Sequence, residues 1–197
     1  MLGNMAVSED IAMLIVEIEA NVSHMESLTH GLSEGQFNWK PESGRWSIAE
    51  CITHLNIANG GDLAPLEAAI AKGRVGNRMG DGPFTYGFLS KKFVATMEPG
   101  GKRKIKAPRL YVPPSQAAKE ETIREYRRIA GELRRLTRSA DGLHLARIKT
   151  SMPALPSALR PFVKMPLGAR LHLITAHDRR HLAQAERVRE HPDFPKS

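Results

Sequence analysis

Four stretches of this chain carry apolar residues at helical spacing, and none carries the strict alternation of a half-buried strand. In the first, Ile11, Leu14, Ile15, Ile18, Val22, Met25 and Leu28 fall on one face, opened by Ser8 and closed by Gly31. The second starts at Ser47-Ile-Ala-Glu50, a capping box in which serine hydroxyl and glutamate each satisfy a backbone N–H of the first turn. Trp46 just ahead of it is placed as a hydrophobic staple. Its stripe runs through Ile48, Ile52, Leu55 and Ala58 or Asn59, then Leu63, Leu66 and Ile70, to a stop at Gly73. Gly60 and Gly61 weaken the middle of that helix, by about 1 kcal/mol each relative to alanine. A third helix is predicted from about Ser115 to Ser139, on Ile123, Tyr126, Ile129, Ala130, Leu133 and Leu136. A fourth runs from about Pro166 to Arg189, on Leu167, Leu171, Ile174, Ala185 and Val188. The expected fold is all-α, a four-helix bundle in which these stripes bury one another, with residues 1–197 as a single domain.

The connections are long. Residues 33–44 read as a loop anchored by Phe37 and Trp39. Residues 74–114 cluster glycine and proline at both ends, and Phe84 to Met97 between them predicts a short helix with Phe88, Leu89, Phe93 and Val94 turned inward. Residues 140–164, with Pro153, Pro156 and Pro161, form a second connection. Loops of such length are commonly functional.

No apolar run reaches the roughly 18–20 residues that span a bilayer, and the first ten residues lack the features of a secretory signal. A cytoplasmic protein without a membrane partner is expected, and Cys51, the single cysteine, fits a reducing compartment. The net charge of +8 permits an acidic partner. The cations are scattered, however, through Lys102 to Lys106, Arg124 to Arg138, and Arg179 with Arg180. No zinc-finger spacing, RNA-binding signature or helix-turn-helix accompanies them, so a nucleic-acid partner is not expected.

His177 and His181 stand four apart in the last helix and therefore share a face, their Cβ atoms roughly 5–6 Å apart. Two imidazoles so placed can grip one metal ion, and a third ligand from another helix, His54, would leave an open position for chemistry. The bland reading is three histidines hydrogen-bonded at the core boundary. Asp178 and Glu50 are candidate acceptors for the far ring nitrogens of such ligands. Glu50 is already explained by the capping box, and Asp178 by a pairing with Arg179 or Arg170. Gln184 shares the face of the histidine pair, to line a pocket or to bond across the bundle. His172 is turned about 140° from His177 and is not expected to bind. His24, His30, His144 and His191 have no partner at metal spacing, and Cys51 reads as a small buried residue.

Two segments carry a family resemblance. Phe37-Asn-Trp39-Lys-Pro41 with Arg45-Trp46-Ser47-Ile-Ala-Glu50-Cys-Ile-Thr-His54-Leu55 holds the pattern W-S-x-x-E-x-x-x-H-L. Leu167 to Gln184 holds H-x-x-R-H-x-x-Q. Together, and in this order, they resemble the DinB-like family of bacterial metal-binding four-helix bundles. The resemblance implies a long crossover between the second and third helices of the bundle. It implies a divalent metal, zinc or nickel, on His54, His177 and His181, and a homodimer. Some relatives are thiol S-transferases or thiol-dependent isomerases that use low-molecular-weight thiols, so a small-molecule substrate of that kind is expected. Residues 74–114 and 140–164 match less well and carry nothing over.

Two classes of function then stand. One is a metal-dependent enzyme, thiol S-transferase-like or hydrolase-like. The substrate would enter between the loops, past Trp39, Trp46 and the 74–114 segment, with Lys102 to Lys106 drawing an anion. The other is a non-catalytic metal-containing binding module. No residue stands out as a general base.

Overall fold

The computed structural model describes residues 7–100, 107–155, 158–159 and 162–196. Helix α1 spans Glu9–Thr29, a short α2 Glu34–Asn38, α3 Ile48–Val75, α4 Phe88–Met97, α5 Lys119–Ser139 and α6 Leu167–Arg189. A 3-10 turn, Arg109–Tyr111, precedes α5, and strands β1 (Lys149–Ser151) and β2 (Lys164–Pro166) pair antiparallel ahead of α6. The four long helices are the predicted ones, and every residue of their stripes named above is buried except Val22 and Leu63, which are half-buried.

Two clusters of side chains fix the helix directions. One joins Ile11 to Ile18 of α1 with Leu66 to Ile70 of α3, Ile129 to Leu136 of α5 and Leu167 to Ile174 of α6. The other joins Met25 and Leu28 with Ile48 to Leu55, Ile123 and Tyr126, and Leu182 to Val188. The start of α1 thus meets the end of α3, the end of α5 and the start of α6. So α1 runs parallel to α6, and α3 parallel to α5. Helix α3 packs on α5 and α6, α1 packs on the same two, and α1 and α3 stand across the diagonal. Parallel neighbours cannot be joined by a short turn. After α3, whose 28 residues cover about 42 Å at 1.5 Å per residue, the chain must return along the whole bundle before starting α5. That return is the crossover expected from the resemblance.

The crossover is held along its path. The Tyr86 ring lies over Gly168, where a Cβ would collide with its hydroxyl. Phe93, Val94 and Met97 of α4 pack on Met152, Met165, Ala169 and Leu173. Glu98 takes two hydrogen bonds from Arg179 (3.0 and 2.6 Å), and Thr96 O accepts from Arg180 (2.9 Å).

Several expectations are corrected. Phe88 and Leu89 do not face inward: they are 75% and 80% exposed, because α4 lies flat on α6 and only its Phe93–Val94 side has anything to cover. Residues 33–44 contain α2, closed by its own capping box between Ser33 and Gln36. Helix α3 runs unbroken through Gly60, Gly61 and Pro65, because packing on α5 and α6 outweighs the local cost. Helix α5 begins at Lys119 rather than Ser115, and its first N–H is satisfied by the Glu34 carboxylate of α2. The connection at 140–164 holds β1 and runs into β2, and these three-residue strands are too short to show alternation. Its residues 156–157 and 160–161, and Lys102 to Lys106 of the crossover, lie outside the described residues.

Candidate metal centre

The capping box at Ser47 is present in full: Ser47 Oγ accepts from Glu50 N (3.1 Å) and Glu50 accepts from Ser47 N (2.8 Å). It fixes the first turn of α3 and so the position of His54 in the second. Lys40 takes the remaining Glu50 oxygen at 2.7 Å, which leaves Glu50 structural. On α6, which is antiparallel to α3, His177 and His181 project to the same seam. The three rings meet there, with centroids 5.1 Å (His54–His177), 4.6 Å (His54–His181) and 4.7 Å (His177–His181) apart.

The far nitrogens decide which way the lone pairs point. His54 Nδ1 lies 2.7 Å from the Tyr111 carbonyl. A carbonyl has no proton to give, so Nδ1–H donates and Nε2 carries the bare pair. His181 Nδ1 likewise donates to Gln184 Oε1 at 3.1 Å, leaving its Nε2 bare. His54 Nε2 stands 3.3 Å from His177 Nε2, and one ligand nitrogen from each ring lies within 4.8 Å of the others. Two imidazole nitrogens on one tetrahedral zinc, each ~2.0–2.1 Å from the ion, are about 3.3–3.4 Å apart. The His54–His177 spacing matches that edge, and the His181 nitrogen lies within 4.8 Å of both. The three histidines fit a divalent ion by donor type, by spacing and by the outer hydrogen bonds that hold the tautomer.

The electrostatics agree. Burial lowers the His54 pKa, against the pull of the Tyr111 carbonyl. Burial, then the two neighbouring rings, holds His177 well below the ordinary value. Burial, then His54, brings His181 down to about 3. All three rings are therefore neutral near pH 7, the form that ligates.

Trp46 closes one side of the cluster, stacked on His181 (5.5 Å, 27°) and against His54 (4.9 Å). It therefore walls the site as well as packing on the first turn of α3. Trp39 does not share that role: it sits with His191 and Phe194, each 5.5 Å away.

Asp178 turns the other way, into the bundle, where it accepts from Asn59 Nδ2 (2.8 Å) and Tyr126 Oη (3.0 Å). It pairs with neither Arg179 nor Arg170 in the manner expected: Arg170 makes a buried fork on Asp62, and Arg179 binds Glu98 and Glu17. Burial raises the Asp178 pKa to about 7. Gln184 neither reaches across the bundle nor merely lines the site, since it holds His181 from within α6. His172 stays off the cluster, beside Tyr86 and Glu17, and Cys51 is fully buried, its thiol pushed up by burial.

The sequence profile of the DinB superfamily matches residues 17–185, taking in both ends of the bundle and all three histidines. The chain belongs to the DinB superfamily. No curated protein and no solved structure matches it. Within this DinB bundle, two features of the site carried no sequence signal. One is the Tyr111 carbonyl, which any residue could supply. The other is the Asn59–Asp178–Tyr126 network, whose members lie on three different helices.

Proposed function

We propose that this protein is a metal-dependent enzyme that binds one divalent ion on His54, His177 and His181 and acts on a low-molecular-weight thiol, as a transferase. The observation that carries the reading is the convergence of three neutral imidazoles, two of them pinned through Nδ1 by Tyr111 O and Gln184 Oε1. A divalent ion held by three neutral ligands keeps its full charge and an open position, and would supply Lewis-acid activation of whatever takes that position.

The residues then divide the remaining tasks. Tyr111 and Gln184 keep the Nδ1 protons in place, so that the Nε2 lone pairs stay aimed at one point. Trp46 shields one flank from water and offers an apolar wall to the substrate. Among the described residues no carboxylate joins the three-histidine group, and the nearest acids in sequence, Glu50 and Asp178, are committed to a helix cap and to the bundle interior. This supports thiol over water as the nucleophile. A free thiol, with a pKa near ~8.5, needs far less help than water, at ~15.7, to react at neutral pH, and a hydrolase gains much from a positioned base. Zinc and nickel both suit the donor set. A reducing cytoplasm, where such thiols are abundant and Cys51 stays reduced, suits the chemistry, and a homodimer is the assembly we expect from the family.

The test pairs metal-loaded protein with a panel of thiols and electrophiles, followed by loss of free thiol. The expected result is turnover in the wild type that His54→Ala abolishes with helicity unchanged. Turnover of esters without thiol would replace transfer by hydrolysis. Metal binding with neither activity would favour a binding module.

A further inference from the structure

All 21 acidic residues of the chain lie outside two segments, 82–97 and 142–177. The structure packs these two against each other. Phe93, Val94 and Met97 of α4 meet Leu155 and the sheet residues Met152 and Met165 in one cluster. Phe88 (75% exposed) and Leu89 (80%) of α4 stay outside this cluster, and Leu159, Phe162 (84%) and Val163, in the stretch between Leu155 and β2, are exposed as well. Lys91, Lys92, Arg147, Lys149 and Lys164 are exposed on the same two segments, and Lys92 reaches over the Phe88 ring at 5.9 Å.

We infer that this face docks the protein on an anionic membrane surface, as a peripheral contact rather than a span. Among the described residues no helix is long and apolar enough to cross a bilayer. The chemistry chooses among occupants. Large exposed apolar side chains with lysines on the same segments, Lys92 directly over Phe88, are the composition that enters the headgroup boundary, with phenylalanine and leucine dipping in and lysines on the anionic heads. A second copy packed here about a two-fold axis would set the lysines of the two segments against one another, and neither segment itself holds a carboxylate. A nucleic-acid duplex would meet the lysines but leave Phe88, Leu89 and Phe162 with nothing apolar to cover. The inference revises the sequence expectation of no membrane partner, and it does not depend on the metal centre.

Flotation of the full chain with vesicles tests it, using phosphatidylcholine alone and phosphatidylcholine mixed with phosphatidylglycerol. The expected result is binding to the mixed vesicles only, weakened by salt. Binding should fall about tenfold or more in Lys91→Glu/Lys92→Glu, and fall again in Phe88→Asp/Leu89→Asp. These side chains point away from the bundle, so helicity should stay unchanged in both variants. Four results would overturn the proposal: no binding to the mixed vesicles, binding that either variant leaves intact, binding to a DNA duplex in place of lipid, or a dimer that Phe88→Asp/Leu89→Asp dissolves. Running metal-free and metal-loaded protein side by side keeps this outcome separate from that of the metal reading.

Discussion

At His54 and His181 the outer hydrogen bond matters as much as the ring, because it decides which nitrogen would face an ion. Gln184→Leu removes the acceptor at His181 Nδ1 and frees the ring to turn. Metal affinity is expected to fall about 10–100-fold, read by competition with a chelator of known strength, while helicity holds. Tyr126→Phe removes the hydroxyl that Asp178 accepts from inside the bundle. Leaving that buried carboxyl short of a donor is expected to cost about 1–3 kcal/mol in urea unfolding. The three histidines that the structure brings together were legible in the sequence because their spacing and motifs are local to α3 and α6. The orientation of Asp178 was not. Residues 177 and 178 are adjacent on one helix, and only the meeting of Asp178 with Asn59 of α3 and Tyr126 of α5 in the interior shows that one faces the seam and the other the core.

At the scale of elements, the crossover is the part that brings the Tyr111 carbonyl to the site, so whatever seats the crossover also supports the site. Tyr86 is such a seat, its ring occupying the space that a side chain at Gly168 would fill. Gly168→Ala is expected to displace the ring and to destabilise by about 1–3 kcal/mol, the range of an overpacked contact. The cost should shrink when Tyr86→Ala is present in the same chain, and a thermal unfolding series of the two single variants and the double checks it. An equal cost in both backgrounds would remove Tyr86 from the argument. The long helices were legible because each repeats its apolar period over many turns. Helix α2, β1 and β2 were not, because three to five residues cannot display a period. The orientation of α4 was misread for a physical reason: its apolar residues occupy two sides, and only one has a neighbour.

At the scale of the whole molecule, the three imidazoles tie folding to pH. In the metal-free protein their folded pKa values lie below the unfolded value of about 6.5, with His181 at about 3. The unfolded chain therefore takes up protons that the folded one refuses, and stability falls as pH drops below about 6.5. Asp178, raised to about 7, works the other way, lending stability at low pH that is lost as pH rises through that value. Asp62, also raised by burial, works with Asp178, while Glu17, held at about 2 against its burial by hydrogen bonds with His172 and Thr175, adds to the three histidines, and the net effect of acidification is a loss. Urea unfolding of stripped protein at mildly alkaline and mildly acidic pH should show it, with a smaller difference in His177→Leu. The bundle topology itself follows from the chain: parallel α3 and α5 demand the long return, and the return brings Tyr111 to His54.

Metal content, measured by plasma mass spectrometry on protein purified without a nickel column, decides whether His54, His177 and His181 hold an ion. About one equivalent of a divalent metal per chain is expected in the wild type, with its loss in His177→Ala. No metal in either protein, even after incubation with zinc and nickel, would contradict that expectation and make the three histidines structural.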